Sequence, residues 1–257
     1  MSNEIISEIR RDHLLNLLAK GERADGRAFD EFRPITVETG FIESADGSAR
    51  VRMGDTEVIA GLKMIPGTPY PDAPASGVMS TGAELIPLAH ASFESGPPSP
   101  DAVELARVVD RGIRESKMID MDDLCIEEGK EVWMCFIDIY AINHDGNLFD
   151  ASNLAAVAAL RTATVPMEQY GKGEDRPLKT TCVPISVTMA KIGNDLIVDP
   201  NFDEGHIASC RLTVATDENG DFRAMQKGGS GGITVAELGR CLDMAVEKGR
   251  EIRDILG

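Results

Sequence analysis

Twice along this chain, short β-branched runs broken by glycine turns give way to a long helix, and that order limits the folds open to it. In the first stretch, strands are predicted at 35–37, 49–52 and 57–64. Asp46-Gly47 and Gly54-Asp55 mark hairpin-type turns between them. A further strand at 78–86, a helix from Asp101 and a long strand at 132–142 follow. Asn143-His-Asp-Gly146 then turns into an alanine-rich helix over 150–164. In the second stretch, strands at 183–189 and 195–198 precede a hairpin with arms at 210–216 and 222–225 that turns at Asn219-Gly220. Gly228-Gly-Ser-Gly-Gly232 then opens a final helix running to about Ile255. A strand buries one face and a helix one stripe, so the order is satisfied by two related α/β subdomains, with helices packed on mixed sheets. The charged, glycine-rich segment 171–176 separates them. The expected organisation is an N-terminal helix (1–22) and subdomains at 23–170 and 177–257.

At 257 residues, 42% of them hydrophobic, the chain can bury a substantial core. No run approaches the ~20 apolar residues that span a bilayer. Near the start, Ile5, Ile6, Ile9, Leu14 and Leu15 are interrupted by Glu8, Arg10, Arg11 and Asp12, the pattern of an amphipathic helix rather than a signal peptide. A cytoplasmic protein without membrane contact is expected. The five cysteines are odd in number, scattered and without CxxC, and His13, His90, His144 and His206 lack ligand spacing, so neither metal nor other cofactor is expected. The formal net charge of −17 opposes general nucleic-acid affinity. Any such contact must rest on a local basic patch or on a more basic partner.

One patch qualifies. On a helix from Asp101 to Lys117, Arg107, Arg111 and Arg114 fall within roughly 60° of one another. Leu105, Ala106, Val109 and Ile113 take the opposite, core-facing side. With only Glu104 counted beside them, the arginines read either as a solvated face or as a stripe that grips phosphates. The glycine-rich 228–232 turn lacks the Lys-Ser/Thr ending of a P-loop and reads as a connection or a close packing point. Among the abundant acids, Asp199 stands apart because it directly follows Leu196-Ile-Val198 and so closes a buried strand. No Ser/His/Asp or Cys/His set can be assembled, and HExxH is absent.

Several segments taken in order resemble the RNase PH-like family of phosphorolytic 3′→5′ exoribonucleases. They are Arg23-Ala-Asp-Gly-Arg27, the strand pair 49–53 and 56–62, Glu104-Leu-Ala-Arg-Val-Val-Asp-Arg111, the 145–159 segment beginning Asp-Gly-Asn-Leu-Phe-Asp-Ala-Ser-Asn, and Val198-Asp-Pro-Asn-Phe-Asp-Glu204. The N-terminal helix, Val132-Trp-Met134 and Asp150-Ala-Ser-Asn153 resemble one branch of it, the catalytically silent subunit of the archaeal exosome core. The resemblance implies a phosphate-binding arginine in the turn before the central helix, where this chain has Leu148. It also implies two aspartates six positions apart, where this chain has Asp199 and then Gly205. A non-catalytic subunit follows as the expectation. It would alternate, three copies with three, with a catalytic RNase PH-like partner under a cap of RNA-binding proteins. It would complete the partner's site and hold single-stranded RNA through Arg107 and Arg111, with Arg114 beside them. The alternatives are an active phosphate-dependent exoribonuclease or tRNA 3′-end processor using Asp199 with Asp203, and a scaffold with no RNA contact.

Overall fold

The computed structural model describes residues 2–257, with side chains from Arg10 onward. Helix α1 (Ser2–Leu18) comes first. Its predicted amphipathic face falls partly on Ile5, Ile6 and Ile9, whose side chains lie outside the described residues. Leu15 and Leu18 of the same face pack on Ala190, Ile192 and Ile197 of the distant C-terminal half.

Strands β1 (Ile35–Thr39), β2 (Gly47–Met53) and β3 (Thr56–Gly67) form an antiparallel meander, and β4 (Val78–Leu85) leads to α2 (Pro100–Ser116). After the short β5 (Cys125–Glu127), the long β6 (Glu131–Asn143) enters between β3 and β4. It runs antiparallel to β3 and parallel to β4. That parallel pairing is possible because α2 supplies the crossover a hairpin cannot. The sheet order is β1-β2-β3-β6-β4, with β5 on β6. Helix α3 (Leu148–Arg161) follows, then the small pair β7 (Thr164–Val165) and β8 (Arg176–Pro177).

The C-terminal sheet, ordered β10-β9-β11-β12, comprises β9 (Ile185–Ile192), β10 (Asp195–Val198), β11 (Cys210–Thr216) and β12 (Phe222–Gly228). A short α4 (Phe202–Ile207) lies between β10 and β11, and α5 (Val235–Leu256) ends the fold.

Helices α2 and α3 lie between the two sheets. One side of α3 meets β2 and β3 and the other meets β9, and only small side chains allow that proximity. Ala151, Ala155, Ala156, Ala158 and Ala159 are all buried. Ser186 and Thr188 of β9 hydrogen-bond to Asn153 and Asp150 of α3. Helix α5 covers the opposite face of the C-terminal sheet, where Gly249 lies against Thr216 and Arg253 bonds the Val183 carbonyl. Mixed sheets covered by helices are the fold class the sequence predicts. No described helix is long and apolar enough to cross a membrane.

The residues after Asp199 form α4 because Asn201 and Glu204 cap each other reciprocally. One local expectation changes. The final helix starts at Val235 instead of Gly232, since Thr234 and Glu237 form a second capping box. The glycine turn before it is a packing device: side chains at Gly229 or Gly231 would meet the Ser209 backbone.

Candidate nucleic-acid interface

Helix α2 is opened by Ser99, whose hydroxyl accepts from Ala102 N, and by Pro100 in its first turn. Leu105, Ala106, Val109 and Ile113 are buried, and Arg107, Arg111 and Arg114 are exposed on the other side. The three arginines are not equivalent. Arg114 is held in a fork on Asp110, at 2.9 Å from each carboxylate oxygen, and its Nη2 also donates to the Met79 carbonyl at 3.0 Å. The acid that matters beside the stripe is therefore Asp110, an i,i+4 partner readable from spacing. Glu104 instead turns to Arg211, with Oε1 2.6 Å from Nη2, and accepts from Gln226. Among the described residues Arg107 and Arg111 have no carboxylate partner. In a chain of net charge −17 that leaves them as a small free cationic edge.

A second site lies on the other side of Glu104. The 146–148 turn, α4 and β11 enclose a cleft of about 290 Å³. Asn147 adopts the left-handed conformation (φ 49°) and caps α3. A side chain at Gly146 would collide with the backbone of Pro200 to Phe202. Leu148, the first residue of α3, and Gly205 of α4 both line this cleft. A Cβ at Gly205 would stand in open space, so room for a side chain exists there. Phe93, His144, Phe202 and His206 also line the cleft. Burial pushes the His144 imidazole down to about 4, with His90 and Arg33 adding to the effect, so it stands neutral near pH 7. The one arginine lining it is Arg211, which lies 4.2 Å from the Phe149 ring centroid and against Glu104.

Asp199 is turned away from this cleft into a closed network. It is fully buried, in the left-handed region at φ 48°. Its Oδ2 accepts from Arg33 N and Nε, both at 2.9 Å, and from Arg27 Nη1 at 3.0 Å. Its Oδ1 accepts from Arg33 Nη2 and from Asn147 Nδ2, both at 2.8 Å. Burial pushes the carboxyl up, but the hydrogen bonds and charge of Arg33 outweigh it and hold it below the usual carboxylate range. With its lone pairs occupied, this carboxylate is poorly placed to take or give a proton.

The neighbouring acids are committed elsewhere. Glu204 is buried in a bidentate pair with Arg23, at 2.9 and 2.6 Å, and caps α4. Asp203 faces Arg10 at 3.5 Å on the surface and does not line the cleft. Arg23 and Arg27 also bind the carbonyls of Val198 and Asp199. The Arg23-to-Arg27 motif is thus a clamp on the end of β10, a role that local spacing could not reveal because its acceptors lie more than 170 residues away. Among the described residues no cluster of His, Cys, Asp and Glu could hold a metal ion.

Two family models match the chain. Domain 1 of the 3′ exoribonuclease family (RNase PH) covers residues 31–166, and domain 2 covers 182–248. The chain belongs to the RNase PH family. Within that family it is 51% identical to the exosome complex component Rrp42 of Methanocella arvoryzae, over all of this chain and 98% of that protein. It is also 51% identical to Rrp42 of Thermoplasma acidophilum, across 98% of this chain and 97% of the relative. A chain in the Archaeoglobus fulgidus exosome structure with RNA bound to the active site superposes with a TM-score of 0.97. That chain is 47% identical, and the match covers 98% of this chain and 100% of the other. The RNase PH fold expected from the resemblance is therefore the fold observed.

Proposed function

We propose that this protein is a subunit of an exosome ring that performs no phosphorolysis of its own and contributes RNA grip and a structured wall to a catalytic neighbour. Its relatives at about half identity are exosome components over their full length, which supports the ring role. The single observation carrying the silent half of the reading is the state of the cleft. Leu148 and Gly205 occupy positions where phosphate-directed and proton-transferring groups would stand, and Asp199 is saturated by five donors. Losing a general acid or base alone forfeits roughly 10²–10⁴-fold in rate. Losing a cation aimed at the attacking phosphate removes charge stabilisation as well.

The grip is assigned to Arg107 and Arg111, with Arg114 contributing less because Asp110 already holds it. The expected partner is a catalytic RNase PH-like subunit alternating with this one, three with three, beneath RNA-binding cap proteins. One feature of the fold supports a partner on the N-terminal sheet. Its outer face carries Ile59, Ile65, Met134, Phe136 and Ile142, all only half-buried, around Asp138 and Tyr140. In an isolated protein such a face is left partly wet.

The test is direct. The purified chain, given single-stranded RNA and inorganic phosphate, should release no nucleoside diphosphate, and the same assay after co-expression with a catalytic relative should. Diphosphate release by the chain alone would sink the proposal. Native mass measurement of the co-expressed complex checks the three-with-three arrangement.

A further inference from the structure

Asp138 stands near the middle of β6, between β3 and β4, on the outer face of the N-terminal sheet. Its neighbours across the sheet are glycines on both sides, Gly61 of β3 and Gly82 of β4. A Cβ at Gly61 would meet nothing within 4 Å, and one at Gly82 would lie 3.3 Å from Asp138 Oδ1. The carboxylate therefore sits in a shallow notch floored by bare backbone. Two residues along each strand, on the same face, the paired Ile59 and Tyr140 bound the notch at one end, and Phe136 bounds it at the other.

An acid amid apolar side chains is usually met by a cation, and Asp138 is not. Among the described residues its carboxylate has neither an ion pair nor a hydrogen bond, and its charged neighbour is a second acid, Glu84, which accepts from the Tyr140 hydroxyl at 3.2 Å. Burial and Glu84 both push the Asp138 carboxyl above its ordinary range. The sheet holds three cations, and all are taken: Arg50 by Glu38 and Glu57, Arg52 by Glu57, and Lys63 by Asp46. Water solvates the two acids while the face is open, since both are exposed. Covering the face strips that water, and an unpaired buried carboxylate is costly. The surface that covers it must bring its own positive charge.

We propose that Asp138 and Glu84 form a charge lock, through which the N-terminal sheet accepts a protein partner that presents a cationic side chain to the Gly61–Asp138–Gly82 notch and refuses a second copy of this chain. The lock rests on the ring-partner reading above and adds what selects that partner. A guanidinium suits the notch best, because it is flat enough to lie on the glycines and can meet both acids. A second copy laid on this face about a two-fold axis would set the same acids against each other. The apolar side chains around the notch attract either occupant, so discrimination falls to the two charges.

The test follows two associations of the full chain: with itself, by sedimentation velocity, and with a fluorescently labelled catalytic RNase PH-like subunit, by titration. The unaltered chain should stay monomeric alone and take up the labelled subunit. Asp138→Asn with Glu84→Gln keeps the shapes and removes only charge. It should weaken the mixed assembly roughly thirtyfold or more, the scale of stranding a buried cation, and let the chain pair with itself. Asp138→Lys should abolish the mixed assembly, and Asp138→Glu, which keeps the charge, should retain it and so exclude a general defect. A neutral variant that binds the labelled subunit as tightly as the unaltered chain, or that remains as monomeric, would overturn the lock. Self-association of the unaltered chain that Phe136→Ser removes would overturn it as well. Mixed assembly indifferent to Phe136→Ser would instead show that the partner does not cover this face, which fails the docking face as well as the lock.

Discussion

Asn147 bridges Asp150 and Asp199, its Nδ2 lying 2.8 Å from a carboxylate oxygen of each. The two acids are buried beneath the same turn, yet their environments drive them in opposite directions. Asp199 is held low by Arg33, whereas burial pushes Asp150 up to about 7 against hydrogen bonds from Asn147 and Thr188. The 146–148 turn is thereby stitched to the core from below.

The first consequence is a pH dependence of stability. A carboxyl whose folded pKa lies above its unfolded value binds its proton more tightly when folded. Stability from Asp150 is thus full below its ordinary value of 3.8 and declines as the pH rises towards about 7. Asp199 works the other way, losing its contribution as the pH falls through its lowered folded pKa, below the window in which Asp150 titrates. Thermal unfolding of Asp150→Asn followed from pH 4 to 7 should show a flatter profile than the unaltered chain. Parallel profiles would show that Asp150 does not titrate in that window.

Arg33 carries the largest share of the hub. It gives Asp199 three hydrogen bonds and also reaches the Asp145 and Gly146 carbonyls. Arg33→Ala keeps the backbone N–H but strips both guanidinium bonds, leaving a buried charge under-compensated. A loss of about 3–5 kcal/mol is expected in urea unfolding. Arg33→Lys, which keeps a cation beside Asp199 while losing the two-pronged fork, should cost less than Arg33→Ala.

The arginines of α2 should separate in their salt response. Removing one phosphate-gripping side chain from a single-stranded RNA complex lowers the log–log salt slope by about 0.7. Arg107→Ala and Arg111→Ala should each show that change in the assembled ring. Arg114→Ala should show less, because Asp110 competes for its guanidinium. Equal slopes for all three variants would contradict the division seen in the structure.

Refilling the cleft should return binding without returning chemistry. Leu148→Arg places a cation at the start of α3, where backbone N–H groups already favour an anion. Titration calorimetry should then detect inorganic phosphate that the unaltered chain ignores. Adding Gly205→Asp, for which there is room, should still leave diphosphate release at background, because Asp199 remains saturated. Robust turnover by this double variant would show that the hub is no obstacle.

Much of this protein follows from patterns within a few residues. The β-branched runs and their glycine turns place the nine longer strands within a few residues of their observed ends, and at 195–198 and 210–216 directly on them, because strand and turn preferences are local; β5, β7 and β8, of two or three residues each, are too short to leave such a pattern. The period of α2 separates its buried face from its arginines for the same reason. The absence of a cation at Leu148 and of a carboxylate at Gly205 is likewise visible, once the family resemblance says where to look. Tertiary structure alone decided the rest. Asp199 is a structural hub because Arg27 and Arg33, more than 160 residues before it, fold onto the end of β10. Arg23 takes Glu204 out of play over a still longer separation. Glu104 answers to Arg211 across the inter-sheet layer, which frees Arg107 and Arg111. Ion pairs of this kind have no period and no spacing. They exist only once burial brings distant charges together and makes leaving either one unpaired too costly.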